Sequence, residues 1–445
     1  MSTSIRFLRI YLHLPLQDKR NQQGNQRKRA IGYLSAYGDL LRISFDTDYI
    51  QDPQRPTLSQ NYQGASSTDT IKILSAVRDI RLARQDGKLP AYFQNLLPES
   101  HNRERLANER QCSVDDEFEL LAAAGHDLMG AIEVEPVPAQ DGIPESVRLW
   151  HATLGLDVLE PGFVEFPVED AASLPGVVTK FSAVKEGRRY VIKRRGLAGD
   201  HILKLPTSRH PDLVQNEMHC YRLAATVGIH CAHAEIITKA DADLPEHVPF
   251  DDVLAVRRFD RNDQHARIHM EEFAQIFGYE PKHKYGKNML EDYAKILATL
   301  EQLSSQPSLD VPEFVRRFVA FILMGNTDAH LKNWAVIYPD GRTLQLSPMY
   351  DPICITALFK SVPDSDYGIN RAIDDKLKIF TWNDLEALLK MARVSRIPRL
   401  MAIAKKTVKI AQETWPAILH TAPNDMSESI RERLQGGLAL THVSS

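Results

Sequence analysis

Cysteine is scarce in this sequence, with only four among 445 residues. No two of them stand at the Cys-x-x-Cys spacing that zinc ribbons and redox dithiols use, so the sequence indicates neither kind of site. Scattered cysteines are typical of a reducing compartment, and we therefore expect a cytoplasmic protein. The four residues are Cys112, Cys220, Cys231 and Cys354.

Long hydrophobic runs are also lacking. The longest, residues 318–324, is far below the roughly 18 residues that a membrane-spanning helix needs. The N-terminal residues 1–16 are interrupted by Arg6, Arg9 and His13 and contain no small-residue cleavage site, so we expect no signal peptide. These absences argue against a membrane protein and against a secreted one.

Neither sign of charge dominates, since there are 54 Lys and Arg residues and 58 Asp and Glu residues, for a net charge of −4. This balance argues against a surface built wholly to bind nucleic acid, but it allows a local basic patch. One such patch lies in residues 17–30, which we interpret as a solvated hairpin loop or as a contact with a phosphate backbone or an acidic partner. Its basic residues are Lys19, Arg20, Arg27, Lys28 and Arg29.

The length predicts two or three domains, at roughly 150 residues per domain. Residues 5–16 and 31–45 indicate β structure, whereas residues 68–132 have a helical pattern. Residues 134–172 are rich in Pro, Glu, Asp and Gly, and we place a domain boundary there. Further strands are predicted at residues 189–193, 201–205, 234–237 and 253–256.

Helical patterns dominate after about residue 285. The fold class is therefore predicted to be α+β, with a strand-rich part before a helical part, an order that resembles a bilobal kinase-like layout. We predict three parts, at residues 1–140, 141–256 and 257–445.

The clearest helix pattern follows Asp310. Asp310 is a suitable N-cap, Glu313 stands three residues later as in a capping box, and Gly325 is a suitable stop. Pro312 lies in the predicted first turn, where its missing N–H does no harm. The apolar residues of this helix share one face: Val311, Phe314, Val315, Phe318, Val319, Ile322 and Leu323.

Polar residues follow this buried helix directly, in the segment 325–333 (GNTDAHLKN). Polar side chains on a loop beside a rigid helix suit a catalytic loop, although the segment can also be read as an ordinary connector. Residues 334–338 and 343–346 then indicate strands around Asp340-Gly341, a strong hairpin signal. A two-residue turn there pairs Asn333 near Pro348 and brings Asp351 to the open end of the hairpin.

The hairpin thus gathers Asp328, Asn333 and Asp351, which suits phosphoryl transfer. Such a reaction needs a carboxylate to receive a hydroxyl proton and hard oxygen ligands to hold Mg²⁺ on phosphates. Asp328 is the predicted base, and Asn333 and Asp351 are the predicted metal ligands. The spacing matches the kinase catalytic loop and the later D-F-G Asp, but another Mg²⁺ enzyme can use the same residues.

A kinase also needs a lysine for the phosphates and a glutamate to hold it. Residues 214–227 indicate a helix on which Glu217 lies near an apolar face, either as the lysine's partner or simply at the edge of that face. Lys193 (in YVIK) and Lys204 (in ILKLP) compete for the lysine role, and periodicity does not choose between them.

Two further segments indicate a nucleotide-binding site less clearly. Residues 173–180 (SLPGVVTK) contain one glycine and match no Gly-rich phosphate motif, so they read as an ordinary turn. Residues 253–256 form a short apolar strand where a nucleotide-contacting hinge would fall. The arginines that follow it suit a hinge or a solvated edge equally well.

Taken together in this order, several segments resemble the HipA family, the serine/threonine kinase toxins of HipBA toxin–antitoxin modules. In the N-terminal part they are residues 92–99 (YFQNLLPE) and 117–132 (EFELLAAAGHDLMGAI). In the kinase core they are residues 201–206 (HILKLP), Asn216-Glu217, 254–261 (LAVRRFDR), 326–333 (NTDAHLKN) and 348–351 (PMYD).

The resemblance implies a kinase-like bilobal fold with an additional small N-terminal α/β subdomain and a mostly helical C-terminal lobe. It selects Lys204 over Lys193, pairs Lys204 with Glu217, and makes Asp328 the base and Asn333 and Asp351 the Mg²⁺ ligands. It also makes Ser173 the autophosphorylated serine. The nucleotide contacts that it implies, besides Lys204, are Pro175, Gly176, Val177, Val178, Thr179, Lys180, Arg257, Arg258, Phe259, His330, Leu331, Lys332, Asn333, Tyr350 and Asp351.

Two residues depart from the family pattern. The family often has Gln where this chain has Val178, and Glu where it has Arg257. The first change removes a polar contact and leaves ATP affinity open. The second change, at Arg257, lies in the predicted hinge, and such a hinge binds nucleotide largely through backbone groups.

The resemblance implies an ATP- and Mg²⁺-dependent toxin kinase linked to persistence, with a HipB-like DNA-binding antitoxin as partner. Its protein substrate would be an aminoacyl-tRNA synthetase or another translation factor, and DNA contact would occur only within the antitoxin complex. Two alternatives stay open: a non-catalytic partner of a DNA-binding antitoxin, and a small-molecule phosphotransferase.

Overall fold

This computed structural model describes residues 4–16, 26–148, 160–176, 178–242, 244, 248–359 and 370–442. The chain divides into two compact units. The N-terminal unit contains Met1–Ile202, Phe259–Lys282 and Ile337–Thr343, and the C-terminal unit contains Leu203–Arg258, His283–Val336 and Leu344–Ser445. The division into parts 1–140, 141–256 and 257–445, which was made from the sequence, stays a prediction.

The strands of the described residues, in chain order, are β1 (Ser4–His13), β2 (Lys28–Tyr37), β3 (Leu40–Phe45), β4 (Ala83–Arg84), β5 (Ile132–Pro136), β6 (Glu160–Pro161), β7 (Lys180–Glu186), β8 (Arg189–Val191), β9 (His201–Lys204), β10 (Ala234–Thr238), β11 (Asp252–Arg257), β12 (His269–Glu272), β13 (Ala335–Tyr338) and β14 (Gln345–Leu346).

The α-helices are α1 (Thr47–Gln51), α2 (Ser67–Leu74), α3 (Ala91–Gln94), α4 (Ser100–Arg110), α5 (Glu117–Ala124), α6 (Leu213–Thr226), α7 (Phe273–Ile276), α8 (Met289–Leu303), α9 (Pro307–Met324), α10 (Arg371–Lys378), α11 (Trp382–Met391), α12 (Ile397–Ile418) and α13 (Asn424–Glu432). Within the described ranges, none of the helices is long and apolar enough to cross a membrane.

A twisted antiparallel sheet organises the N-terminal unit. Its strand order is β4-β3-β2-β1-β5, and β6 pairs in parallel with β1. Leu8 pairs with Leu34, which pairs with Ile43 across the next strand, and all three side chains are fully buried. Because side chains alternate between the faces of a sheet, this register places one apolar row in the core. Helices α4 and α5 contribute side chains to the same core.

The predicted β structure of the first residues is confirmed, and residues 31–45 contain most of β2 and all of β3. Strand β2 turns into β3 at Gly38, whose φ is +54°. In the predicted basic patch, residues 17–25 lie outside the described residues. Lys28 forms ion pairs with Glu133 and Glu135, so part of its charge is neutralised within the sheet.

Helices dominate the C-terminal unit as predicted. Helix α9 packs against α8 and α12, and α12 also packs against α6. The whole predicted apolar face of α9 is buried. Aromatic rings of α8 and α9 meet there with Trp334, which directly precedes β13, and the ring centroids of Trp334 and Phe314 lie 4.6 Å apart. This core fixes the end of α9, from which the predicted catalytic loop leaves.

The predicted start of α9 is wrong, since the helix begins at Pro307 and Asp310 lies inside it. The Asp310 carboxylate accepts hydrogen bonds from Ser304 Oγ at 2.6 Å and from the backbone N–H of Leu346 at 2.8 Å. Glu313 forms no capping box and instead accepts from the backbone N–H of His230 at 2.9 Å. Leu346 and His230 are far from these carboxylates in sequence, so the local capping pattern misidentified the start. The predicted stop at Gly325 is confirmed, with φ at +67°.

The hairpin after the loop is confirmed in outline but its turn is longer than two residues. Strands β13 and β14 are separated by residues 339–344, and the Asp340 carboxylate accepts from Arg342 N and Thr343 N, both at 2.8 Å. The Ser347 N–H donates to the Ala335 carbonyl at 3.0 Å, which shifts the pairing by one residue from the predicted register. The side chain of Asp340 thus closes the turn through hydrogen bonds that a two-residue turn does not use.

Candidate active site

A buried lysine forms the centre of the candidate site in the C-terminal unit. Lys204, at the end of β9, is 3% exposed. Its Nζ atom lies 2.5 Å from Glu217 Oε1 on α6 and 2.5 Å from Asp351 Oδ1. The competing Lys193 is exposed. The structure therefore brings Lys204, rather than Lys193, against Glu217 and Asp351.

The charge of Lys204 is maintained by these two partners. Burial alone lowers the pKa of Lys204, but the carboxylates of Asp351 and Glu217 outweigh burial and raise the pKa above its usual value. Removing a partner from a buried cation paired in this way costs free energy. Another anion can therefore bind Lys204 only if it takes the place of one of the carboxylates. The arrangement suits a lysine that binds phosphate oxygens.

Helix α6 holds several parts of this cluster through one face. Besides Glu217, the helix carries Tyr221, whose phenolic oxygen accepts the Asp351 N–H at 3.2 Å. Asn216 bonds both backbone groups of Cys354, donating to its carbonyl at 3.0 Å and accepting from its N–H at 2.9 Å. Asp351 itself has a φ of +51°, a conformation that a non-glycine residue keeps only when its surroundings hold it.

Asp328 lies in the loop directly after α9, with its side chain 25% exposed. Its Oδ1 atom accepts a hydrogen bond from the Tyr285 hydroxyl at 2.5 Å, and His330 Nε2 lies 3.7 Å from the same oxygen. The Asp328 carbonyl accepts from the backbone N–H of His330 at 2.8 Å and from Asn333 Nδ2 at 2.7 Å. The loop is thus closed on itself, while its carboxylate stays accessible.

The rest of the predicted loop residues serve mainly to shape this turn. Leu331 and Lys332 are buried, and the Lys332 carbonyl accepts from the Tyr350 hydroxyl at 2.8 Å. This bond joins the loop to the residue before Asp351. The structure therefore links Asp328 to Asn333 directly, and links the loop to Asp351 through Tyr350.

The residues present fit a divalent cation only in part. Asn333 uses its amide nitrogen on the Asp328 carbonyl, and its Oδ1 atom has no partner among the described residues. Asp351 provides a carboxylate, and hard oxygens are what Mg²⁺ prefers. No group of three or more His, Cys, Asp or Glu side chains in the described part of the chain is arranged to hold a metal. Since Mg²⁺ commonly takes one or two protein ligands plus substrate phosphates, Asn333 and Asp351 remain suitable.

The predicted phosphate loop lies in the N-terminal unit. Asn102 on α4 donates to the Val178 carbonyl at 2.9 Å and to the Gly176 carbonyl at 3.4 Å. Lys180 is buried, and its Nζ donates to the Pro175 carbonyl at 3.0 Å. Thr179 is half-buried, and Val177 lies outside the described residues. The path of this loop is therefore set by hydrogen bonds that the side chains of Asn102 and Lys180 donate to carbonyl groups of the loop's main chain.

Ser173 precedes that loop and is fully buried. Its hydroxyl donates to the Leu96 carbonyl, and its N–H donates to the Asp127 carbonyl at 3.1 Å. The Asp127 carboxylate in turn binds Arg194 Nη1 at 2.6 Å and Ser182 Oγ at 2.7 Å. In this conformation the Ser173 hydroxyl is not accessible to a second molecule.

The predicted hinge is divided between the two units. Arg257, at the end of β11, donates its N–H to the His233 carbonyl at 2.8 Å, and Arg258 is 3% exposed. Phe259 belongs to the N-terminal unit and is half-buried. Burial of Arg258 makes it a poor candidate for the solvated edge that the sequence left open.

Sequence reasoning did not predict the contacts of four residues, of which Asn216, Tyr221 and Tyr285 organise the site in the C-terminal unit and Asn102 organises the loop in the N-terminal unit. Asn216 was noticed only beside Glu217, whereas the contacts of Asn102, Tyr221 and Tyr285 had no local signal. Each acts on a residue far away in the chain, the shortest separation being 43 residues for Tyr285 and Asp328. Side-chain spacing along a helix or strand therefore carries no information about them.

An α+β fold with a buried lysine–glutamate pair and an Asp…Asn loop defines a kinase-like protein. Two family models match the chain, the HipA-like C-terminal domain over residues 172–415 and the HipA N-terminal domain over residues 25–135. The first alone spans more than half of the chain. The chain belongs to the HipA family, as the sequence motifs predicted.

Similar proteins agree with this assignment. A protein of Sinorhizobium fredii named "Putative kinase Y4dM" is 31% identical over 385 residues, which cover 84% of this chain and 86% of that protein. The "Serine/threonine-protein kinase toxin HipA" of Shewanella oneidensis is 25% identical over 429 residues, covering 90% of this chain and 89% of that protein. These names support a kinase-like phosphotransferase.

A solved structure has the same fold. It is the Shewanella oneidensis HipA chain in a complex with HipB and operator DNA, with a TM-score of 0.62 at 20% sequence identity. The match covers 92% of this chain and 94% of that chain. The predicted α+β kinase-like fold is confirmed.

Proposed function

We propose that this chain is an ATP- and Mg²⁺-dependent protein serine/threonine kinase that acts in the cytoplasm as the toxin of a type II toxin–antitoxin module. The observation that carries the proposal is the buried Lys204 Nζ, 2.5 Å from both Glu217 and Asp351. A buried cation held between two carboxylates beside a loop with a further accessible carboxylate has the parts that phosphoryl transfer needs.

In the proposed mechanism, Asp328 receives the proton of a serine or threonine hydroxyl. The hydroxyl oxygen forms a bond to the γ-phosphorus as the bond between that phosphorus and the β–γ bridging oxygen breaks, and ADP leaves with the bonding electron pair. Lys204 neutralises phosphate oxygens and keeps the nucleotide oriented. Glu217 keeps Lys204 in place when Asp351 turns to another cation.

Mg²⁺, when bound, neutralises charge that develops on the phosphates. Asn333 and Asp351 would hold it with their side-chain oxygens. Residues 175–180 would lie on the phosphates. His330, Leu331, Lys332, Tyr350 and the hinge residues Arg257, Arg258 and Phe259 would shape the remaining nucleotide contacts.

Regulation by autophosphorylation at Ser173 forms part of the proposal. Because Ser173 is fully buried and bonded through both its hydroxyl and its N–H, the segment has to leave its place before the hydroxyl can be modified. A phosphate of about −2 charge would not fit back into that enclosed position. Modification would therefore keep the neighbouring loop displaced and inactivate the enzyme.

The proposed partner is a HipB-like DNA-binding antitoxin, since the similar Shewanella chain occurs in a complex with HipB and operator DNA. DNA contact by this chain would then occur within such a complex. The proposed substrate is a protein of the translation apparatus, such as an aminoacyl-tRNA synthetase.

Intact-mass spectrometry after incubation with ATP and Mg²⁺ tests the proposal. The native chain should gain one phosphate that maps to Ser173, and Asp328→Asn should gain none while keeping its fold and its nucleotide binding. Transfer by Asp328→Asn at the native rate would refute the role of Asp328. ADP release that depends on a metabolite, with no protein phosphorylated, would indicate a small-molecule phosphotransferase, and partner binding without any turnover would indicate a binding module.

A further inference from the structure

The oxygen that would receive the substrate proton already has a hydrogen-bond donor. Tyr285 lies in the turn between the 3₁₀ segment Pro281–His283 and α8, and its hydroxyl donates to Asp328 Oδ1 at 2.5 Å. A hydroxyl donor on a carboxylate stabilises the charged form and restricts the rotation of the side chain. Neither the motifs nor the family resemblance assigns this tyrosine a role.

The position of Tyr285 is fixed by its neighbours on both sides. The Leu331 N–H donates to the Lys284 carbonyl at 3.0 Å, which attaches the turn to the loop of Asp328. The ring of Tyr285 meets His330 edge to face, with centroids 5.2 Å apart. Gly286 has a φ of +70°, and a Cβ atom there would lie 1.8 Å from Asp292 Oδ2. The turn is therefore closely packed where it presents the phenol.

We propose that Tyr285 is a positioning residue, which orients the Asp328 carboxylate for the substrate hydroxyl. This inference rests on the proposed role of Asp328 as the base. The phenol keeps its own proton throughout, and the proton of the substrate hydroxyl goes to Asp328. The hydrogen bond at Oδ1 thus holds the carboxylate in one orientation.

Other titratable groups also face Asp328. His330 Nε2 lies 3.7 Å from Oδ1, and Tyr293 on α8 lies close enough for the Asp328 charge to affect it. Tyr293 donates its hydroxyl to the Ala329 carbonyl at 2.7 Å and so contacts the same loop without touching the carboxylate. It is therefore a matched control for the loss of a phenolic hydroxyl.

The experiment compares Tyr285→Phe, Tyr293→Phe and the native chain. Carbon-13 NMR of aspartate-labelled protein, at one fixed pH, follows the carboxyl resonance of Asp328, which is assigned by its loss in Asp328→Asn. This resonance should shift in Tyr285→Phe, which loses the hydrogen bond to Oδ1, and stay in place in Tyr293→Phe. Thermal unfolding of each variant reports whether it is folded.

Kinetics provide the second measurement. In Tyr285→Phe kcat should fall about tenfold with an unchanged KM for ATP, because the lost hydrogen bond acts on the base and not on the nucleotide. In Tyr293→Phe kcat should fall by less than about threefold.

An unchanged Asp328 carboxyl resonance in folded Tyr285→Phe would overturn the inference. A higher kcat in that variant would also overturn it, because the phenol would then be occupying the place of the substrate hydroxyl. A native chain that transfers no phosphate contradicts the proposed function instead, and the NMR comparison still decides whether Tyr285 acts on Asp328.

Discussion

The lysine cluster of the C-terminal unit and the 175–180 loop of the N-terminal unit are built in different ways. In the cluster, Glu217 and Asp351 each form an ion pair with Lys204 through their charged side chains. In the loop, Asn102 bonds the main-chain carbonyls of Gly176 and Val178. A buried cluster of charges requires a particular side chain at each position, whereas bonds to main-chain carbonyls require only a particular path.

This difference bears on the departure from the family pattern at Val178. The Val178 carbonyl, which any residue provides, is what Asn102 holds at 2.9 Å. The loop can therefore keep its course with a valine where the family often has glutamine. No such freedom is expected in the cluster, and the predictions below compare the two regions.

The largest effect is expected where the charged cluster is broken. Glu217→Gln leaves the buried Lys204 with one carboxylate fewer, and the free energy of unfolding should fall by roughly 3 kcal/mol. Urea unfolding measures this loss. The double variant Lys204→Met/Glu217→Leu removes both charges and should be less destabilised than the single variant. Equal stability of Glu217→Gln and the native chain would mean that the pair contributes nothing.

A second prediction concerns a fully buried carboxyl group in the N-terminal unit. Burial raises the pKa of Glu271 from 4.5 to about 7, even though its Oε1 atom accepts from the Gln60 N–H at 2.9 Å and from the Tyr338 hydroxyl. Because the folded state holds the proton more tightly than the unfolded state, this group makes stability fall as the pH rises from about 4.5 to about 7.

Glu271→Gln should therefore be more stable than the native chain at pH 8, by roughly 3 kcal/mol, and the difference should shrink towards pH 4.5. Glu280→Gln is the control with the opposite sign. Burial alone would raise the pKa of Glu280, but Arg84 and Lys282 hold it below its usual value, so removing this charge should lower stability at neutral pH. A native stability that is flat between pH 5 and pH 8 would contradict the prediction.

The smallest effect is expected in the loop. Asn102→Ala removes the amide that spans residues 176–180, and the KM for ATP should rise about five- to tenfold with a smaller change in kcat. Asn108→Ala, an exposed residue of the same helix, should leave both constants unchanged. If Asn102→Ala lowered kcat and stability as strongly as Glu217→Gln, the contrast between the two regions would fail.

Periodicity was sufficient to predict elements whose signals are local. The apolar face of α9, its end at Gly325 and the strands around Asp340 were all readable from the sequence. The start of α9 was not, because the carboxylate of Asp310 accepts hydrogen bonds from Ser304, 6 residues away, and from Leu346, 36 residues away in sequence. Capping patterns assume that the nearest donors are used, and tertiary donors replaced them here.

The candidate site was predictable as a set of residues but not as a set of contacts. Spacing suggested Asp328, Asn333 and Asp351, and left Lys193 and Lys204 undecided. The family resemblance selected Lys204, the lysine that the structure places beside Glu217. Neither residue spacing nor the family resemblance predicted the contacts of Tyr285 and Asn102, because their hydrogen bonds cross 43 residues and 76 residues of sequence.

Calorimetric titration with Mg²⁺ and ATP tests the central claim, that the Lys204 cluster is the nucleotide site, most directly. The titration compares the native chain with Lys204→Met and with Lys193→Met. Lys193 is the exposed lysine that the sequence offered as the alternative to Lys204. We predict that Lys193→Met binds like the native chain and that Lys204→Met, checked to be folded by circular dichroism, loses at least tenfold in affinity. Native affinity in folded Lys204→Met would contradict the account.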